Sequence, residues 1–260
     1  MHVCVTVLIV VGVGRKKPPQ TIDRILVNRG LPVSEEANAT IGLSDSEGGC
    51  LINALLSPTT RTYLEWGSGG STELVSWLIL SGRMRHDFRA VSVESSPKWM
   101  AHMRHRSTLI RRAEQTGQMK FIHGSMGPVG HLGYPKGFTP TDHKRSLAYV
   151  GLANKLGGRK VDVALVDGRF RLACMLEAFT HLRHRGGAPH TDAGLPRVLL
   201  HDYAVIPPGL HLRRFDEYSL ALQFYELQYK NGTLATLVPK PSVSPTAISA
   251  ALQSALGHPD

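Results

Sequence analysis

The chain has 260 residues, of which 42% are hydrophobic and 19% are charged; this composition is typical of one globular α/β domain and excludes a disordered polymer. The formal net charge of +10 permits an anionic partner. However, the arginines and histidines lie on predicted helix faces without interleaved aromatic residues, so a nucleic-acid groove is not favoured. The three cysteines, Cys4, Cys50 and Cys174, are far apart and contain no C-x-x-C pair, so they suggest neither a zinc site nor a disulfide framework.

Residues 1–43 are predicted to form an N-terminal extension. Residues 3–14 are apolar and largely β-branched, and three basic residues follow at 15–17. This run is shorter than the roughly 20 apolar residues that cross a bilayer. A secretory signal would also carry its basic residues before the apolar run. A strand and a signal-anchor remnant both fit, so the compartment stays open between the cytoplasm and the secretory pathway, with no firm indication of membrane contact.

From residue 44 onward, predicted helices and strands alternate. A helix begins with Ser44 as N-cap and Glu47 three residues later, which is the arrangement of a capping box. Ser71 is the predicted cap of the second helix, and Pro97 opens the third. The predicted strands are 62–66, 89–94, 119–123, 161–166 and 197–200. The predicted helices are 44–56, 71–80, 97–114, 142–156 and 170–183.

The C-terminal third contains a predicted hairpin. Two β-rich runs, 219–229 and 233–238, flank the pair Asn231-Gly232, which is a strong hairpin signal. Together these elements predict a Rossmann-like, doubly wound α/β fold, in which a mostly parallel seven-stranded sheet ends in an antiparallel hairpin strand. We expect one domain over 44–240 and a peripheral tail over 241–260.

The first predicted strand runs into a glycine-rich turn, Glu65-Trp66-Gly67-Ser68-Gly69-Gly70-Ser71-Thr72. Glycine allows a backbone to approach a ligand closely. A dinucleotide fingerprint needs a third glycine where Thr72 stands, and a Walker loop needs a lysine that is absent. The acidic residue before the turn would repel a pyrophosphate and would attract an amino group or ribose hydroxyls.

Polar groups also follow the other four predicted parallel strands, where ligands bind in doubly wound sheets. A carboxylate in the position of Glu94 can accept two hydrogen bonds from a ribose, although it can equally be a surface carboxylate. The further strand ends carry Gly124-Ser125, Asp167-Gly168-Arg169-Phe170 and His201-Asp202-Tyr203.

Residues 63–70, 93–94, 165–168 and 200–203 are similar to the motifs of class I S-adenosylmethionine-dependent methyltransferases, and the resemblance covers about 44–240. It implies S-adenosylmethionine as cofactor and an acceptor that is a small molecule or a saccharide, methylated on a hydroxyl or carboxyl oxygen. It also implies that Glu65 lies near the methionine amino group, that Glu94 holds the ribose, that Ser125 lies by the adenine and that Asp167 faces the methyl group. The rest of the implied cofactor site is Gly67, Ser68, Gly69, Gly70, Ser71 and Thr72.

The candidates for catalysis are His201 or Asp202 as the base, with Asp167 nearby. His201 has an alternative role as a strand-end residue that binds only backbone. A magnesium-type cation on Asp167 and Asp202 has a thin basis, so no metal site is predicted.

The loop over 126–140 is predicted to be irregular, and it can cover an acceptor as a lid. The candidate acceptor contacts are His131, Tyr134, His143, Arg169 and Arg171. Two other functions stay open on the same architecture, a nicotinamide-dependent oxidoreductase and a non-catalytic nucleoside-binding protein. The sequence does not indicate an oligomeric state.

Overall fold

A computed structural model describes residues 20–21, 40–41, 43–139, 141–183, 194–203 and 216–259. The apolar run 3–14 lies outside the described residues, as does most of the predicted N-terminal extension. Gln20–Thr21 and Thr40–Ile41 form a short antiparallel pair. In the described ranges, no helix combines the length and the apolar character that crossing a membrane requires.

Seven strands form one sheet, as predicted. They are β1 (Thr62–Trp66), β2 (Arg89–Glu94), β3 (Met119–His123), β4 (Val163–Val166), β5 (Arg197–Leu200), β6 (Tyr225–Asn231) and β7 (Leu234–Pro239). Their spatial order is β3-β2-β1-β4-β5-β7-β6. The first five are parallel, and β7 pairs antiparallel with both β5 and β6. The order reverses between β1 and β4, which makes that gap the topological switch point.

Helices cover both faces of the sheet. They are α1 (Asp45–Leu55), α2 (Gly70–Leu80), α3 (Pro97–Arg106), α4 (Thr108–Gln115), α5 (His143–Val150), α6 (Arg171–His181), α7 (Asp216–Ala221) and α8 (Pro245–Ala255). Alternate residues of β1 supply the two cores: Leu64 and Trp66 pack in the cluster with α6 and α8, whereas Tyr63 packs in the cluster with α1 and α2. This alternation follows from the period of two in a strand.

The predicted capping box is confirmed. Ser44 caps α1, its hydroxyl accepts from the Glu47 amide, and the Glu47 carboxylate accepts from the Ser44 amide. Glu47 also accepts from the backbone amide and the hydroxyl of Thr233, in the turn between β6 and β7. One carboxylate therefore joins the first helix of the domain to its terminal hairpin.

The prediction of a single helix over 97–114 is wrong, because this range forms two helices that meet at Ser107. This residue has extended backbone dihedrals, and its hydroxyl accepts from the amide of Ile110 and so caps the start of α4. A serine side chain that can cap a new helix competes with continuing the old one. Arg104 and Glu114 form an ion pair of 2.7 Å across the break.

Three other predicted ranges need correction. The helix predicted over 142–156 is α-helical only to Val150 and continues as a 3₁₀ helix over Gly151–Leu156. The fourth strand begins at Val163 rather than at 161. In the predicted strand over 219–229, the first three residues belong to α7, and β6 begins only at Tyr225.

The C-terminal segment is not a peripheral tail. Within it, α8 packs against α6 and buries Ile248, Leu252 and Ala255 in the main core cluster. The apolar positions fall at intervals of three and four residues, as on one face of a helix. The domain therefore includes residues beyond 240.

Candidate active site

A cavity of about 490 Å³ opens at the carboxyl ends of the parallel strands, beside the switch point. Turns that follow β1, β2, β4 and β5 contribute to its wall. The wall includes Gly67, Ser68, Glu94, Asp167, Gly168 and His201. The carboxyl edge of the sheet therefore gathers most of the strand ends that the sequence singled out.

The glycine-rich turn packs backbone against backbone on the turn after β4. Gly67 has φ +91°, and a Cβ there would lie 2.7 Å from the carbonyl carbon of Asp167 and from the nitrogen of Gly168. The amide of Asp167 donates to the Trp66 carbonyl (2.9 Å), and the amide of Gly67 donates to the Val93 carbonyl (3.0 Å). Only a residue without a side chain fits between the two turns.

Glu94 is buried at the wall of the cavity, and both of its oxygens accept hydrogen bonds. The Ser68 hydroxyl donates to one oxygen (2.6 Å), and the Ser96 amide donates to the other (2.7 Å). The Ser68 amide and the Ser95 hydroxyl make longer bonds of 3.3 Å to the same carboxylate. These donors hold the carboxylate group in one orientation at the edge of the cavity.

Glu65 does not line the cavity. It lies beneath the glycine-rich turn with no exposed surface, and its oxygens accept from the hydroxyls of Ser71 and Thr72. Burial raises the pKa of the Glu65 carboxyl to about 7, although these hydroxyls and that of Ser92 oppose the shift. Ser71 is also not the cap of α2, since Gly69 occupies that position. Glu65 therefore braces the turn from inside the fold.

Replacing Glu65 by glutamine is expected to change how stability depends on pH. The raised pKa means that folded wild type holds a proton that the unfolded chain releases near pH 4.5, so this contribution is complete below pH 4.5 and is lost as pH rises through about 7. The free energy of unfolding of wild type minus that of Glu65→Gln should fall by about 3 kcal/mol across this window. Urea unfolding between pH 4 and 8 measures it, and parallel profiles would contradict it.

Other predicted residues lie away from the cavity wall. Ser125 is exposed after β3, and neither it nor Gly69 or Gly70 lines the cavity. Trp99 does line it: its indole nitrogen donates to the Ser68 carbonyl (3.1 Å), and its side chain is 40% exposed. Trp99 was not among the predicted site residues, because it lies in a helix rather than at a strand end.

The turns after β4 and β5 bring together Asp167, His201 and Asp202. His201 Nδ1 lies 2.9 Å from an Asp167 oxygen and 3.8 Å from an Asp202 oxygen. Burial lowers the pKa of His201, but the hydrogen bond to Asp167 and the nearby carboxylates outweigh burial, so the pKa is raised above its ordinary value of 6.5. His201 is therefore more than a strand-end residue that binds only backbone.

Arg171, in the first turn of α6, lies among these groups. Its guanidinium donates to the carbonyls of Gly168 and His201, each at 3.1 Å, and to the Asp202 carboxylate at 3.0 Å. The same nitrogen that reaches Asp202 lies 3.7 Å from Asp167. Arg171 thus connects the turn after β4 to the turn after β5.

The loop over 126–140, which was predicted to be irregular, also contributes to the cavity wall. It is closed by a bridge between Val129 and Pro135, and Leu132 at its tip is 69% exposed with φ +52°. The guanidinium of Arg169 lies over the ring of Tyr134, 4.3 Å from its centre. Leu132 and Arg169 line the cavity, whereas His131, Tyr134 and His143 do not.

Solved structures with this fold include methyltransferases. A methyltransferase-like protein from Silicibacter pomeroyi has a TM-score of 0.58 at 20% identity, over 85% of this chain and 98% of that chain. An O-methyltransferase from Bacillus cereus in complex with SAH has a TM-score of 0.53 at 15% identity, over 84% of this chain and 96% of that chain. No family model and no curated protein matches the sequence. The chain has the class I methyltransferase fold.

Proposed function

We propose that the chain is an S-adenosylmethionine-dependent methyltransferase that acts on an oxygen of a small acceptor. One observation carries this proposal: the same cavity holds a carboxylate suited to a ribose, Glu94, and a histidine paired with a carboxylate, His201 with Asp167. A nucleoside cofactor and an acceptor base therefore have separate places in one site. The likeness in fold to an O-methyltransferase in complex with SAH supports the same reading.

The residues around Glu94 fit a nucleoside. The Ser68 and Ser95 hydroxyls, which now donate to Glu94, can rotate away and leave its oxygens to two ribose hydroxyls. The backbone amides of Ser68 and Ser96 would still hold the carboxylate. Gly67 and Trp99 complete this side of the cavity. When bound, the cofactor supplies an electrophilic methyl group on a sulfonium centre.

His201 is the base in this proposal. Its Nδ1 is engaged with Asp167, so Nε2 is the nitrogen that would take the proton of an acceptor hydroxyl. Asp167 orients the imidazole and stabilises its charged form. Positioning an acceptor beside such a base is the main contribution that a protein makes to an in-line displacement.

The acceptor is proposed to be a small molecule or a saccharide that carries a hydroxyl or carboxyl group. The cavity is a concave pocket of about 490 Å³, which suits a small ligand better than a polymer. The guanidinium of Arg169 lies in its wall and favours an acceptor with negative charge, whereas that of Arg171 is engaged by Asp202 and Asp167.

Replacing Glu94 by glutamine is expected to weaken SAH binding by about 10- to 100-fold. Glutamine keeps the shape but loses the charge and one acceptor oxygen, and hydrogen bonds to charged groups contribute about 1.5–3 kcal/mol. Calorimetric titration of wild type and of Glu94→Gln with SAH measures the change. Glu226→Gln, on an exposed part of β6, is the matched control.

The same titration separates the alternatives. Wild type that binds a nicotinamide nucleotide and not SAH would overturn the proposal. A second outcome is that wild type binds SAH but does not convert S-adenosylmethionine to SAH with any of a panel of hydroxyl and carboxyl acceptors. This outcome would favour a non-catalytic nucleoside-binding protein. We expect SAH binding in wild type and in Glu226→Gln, and product release with an anionic acceptor.

A further inference from the structure

The geometry points to Arg171 as a built-in cation that occupies the place a divalent metal ion would take among Asp167, His201 and Asp202. On this inference, the chain works without a metal ion at this cluster, and removing the guanidinium opens a cation site. The inference concerns charge and contacts within the chain, so it does not rest on the proposed methyl transfer.

The cluster has the composition of a metal site. Asp167, His201 and Asp202 each offer one ligand atom, and these atoms all lie within 4.8 Å of one another. Two carboxylates and an imidazole are ligands that Mn²⁺ accepts.

Arg171 already meets the charge of this cluster. One nitrogen of its guanidinium lies 3.0 Å from Asp202 and 3.7 Å from Asp167, so it bridges the two carboxylates. Its other nitrogens donate to the carbonyls of Gly168 and His201. The side chain is only 10% exposed. Three hydrogen-bond acceptors and the ion pair with Asp167 hold this guanidinium in place, so it cannot easily swing aside for an ion.

A metal ion would meet two obstacles here. Its ligands Asp167 and Asp202 are already bridged by a fixed positive charge in a partly buried site, where repulsion between like charges is strong. It would also have to break the contact between His201 Nδ1 and Asp167. The guanidinium performs the electrostatic task itself: burial raises the pKa of Asp202, but His201 and Arg171 outweigh it, so the pKa is lowered.

Mn²⁺ binding to the full chain tests the inference without any need for an acceptor. Titration followed by the electron paramagnetic resonance signal of free Mn²⁺ compares wild type with Arg171→Gln and Arg171→Lys. Lysine keeps a positive charge while glutamine removes it. The comparison therefore distinguishes the effect of losing the charge from the effect of losing the packing of the arginine side chain. Asp202→Asn is added to each background to locate any bound ion.

We expect Arg171→Gln to bind Mn²⁺ at least about 30-fold more tightly than wild type or Arg171→Lys, and Asp202→Asn to abolish the gain. Wild type that binds Mn²⁺ tightly and loses it on Asp202→Asn would overturn the inference. The inference would also be overturned if folded Arg171→Gln bound Mn²⁺ no more tightly than wild type, or if Arg171→Lys gained as much Mn²⁺ affinity as Arg171→Gln. If Arg171→Gln fails to fold, Arg171→Met, with its unbranched apolar chain, replaces it under the same criteria.

Discussion

Replacing Gly67 by alanine is expected to lower the free energy of unfolding by about 3 to 5 kcal/mol. Two causes add. The backbone at Gly67 has φ +91°, a value that residues with a Cβ rarely adopt. The new methyl group would also lie 2.7 to 2.8 Å from backbone atoms of Asp167 and Gly168. Backbone atoms cannot rotate away as the end of a side chain can, so one of the two turns has to move.

Because both turns form the cavity, the same substitution should also abolish measurable SAH binding. Gly69→Ala is the matched control for stability: a Cβ there meets no atom within 4 Å, and its φ of 177° is open to any residue. Urea unfolding of both variants measures the difference. Equal stability of Gly67→Ala and Gly69→Ala would show that the two turns are not packed as described.

Replacing His201 by alanine is expected to slow methyl transfer by about 10²- to 10⁴-fold, the usual contribution of a positioned general base. SAH affinity should stay nearly unchanged, because His201 is assigned to the acceptor and not to the nucleoside. His181→Ala is the matched control. His181 also pairs with a carboxylate, that of Glu177 at 3.0 Å, but it lies at the C-terminal end of α6. A loss of SAH binding equal to the loss of rate would contradict the assignment.

The pH dependence gives a second measurement on the same pair. A base must be deprotonated, so the rate should rise with pH through the pKa of His201, which lies above 6.5. Asp167→Asn removes the hydrogen bond and the charge that raise this pKa, so the rise should move to lower pH. An NMR titration of the His201 ring checks the shift without an acceptor, and an unchanged pKa in Asp167→Asn would refute the pairing.

The five parallel strands could be predicted because local pattern decides them. The runs that form β1, β2, β3 and β5 were predicted with the bounds that the structure has. Such strands are short, apolar and bounded by polar or glycine residues, and their partners do not have to be known for the period to be read. The gathering of Glu94, Asp167 and His201 at one edge follows from the parallel order.

Elements whose boundaries depend on competition or on distant packing were predicted poorly. Ser107 can either continue a helix or cap a new one. In the structure it caps α4, and the ion pair of Arg104 with Glu114 spans the break between the two helices. Helix α8 looked peripheral because its stabilising contacts are with α6, about 70 residues earlier in the chain. Local propensity is a weak prior where tertiary contacts decide.

Local pattern is enough to predict the sheet, the glycine-rich turn and the strand ends that meet at the cavity, since a two-residue period and parallel order bring these residues to one edge whatever their partners. Which acidic groups face the cavity depends instead on tertiary packing. Glu65 is the second-last residue of β1 and Glu94 is the last residue of β2, yet Ser71 and Thr72 enclose Glu65 beneath the turn while Glu94 reaches the wall. Arg171 bridges Asp167, which lies four positions before it in the chain, and Asp202, which lies 31 positions after it. Burial and charge pairing depend on the packing of neighbouring turns, and this packing exists only once the chain is folded.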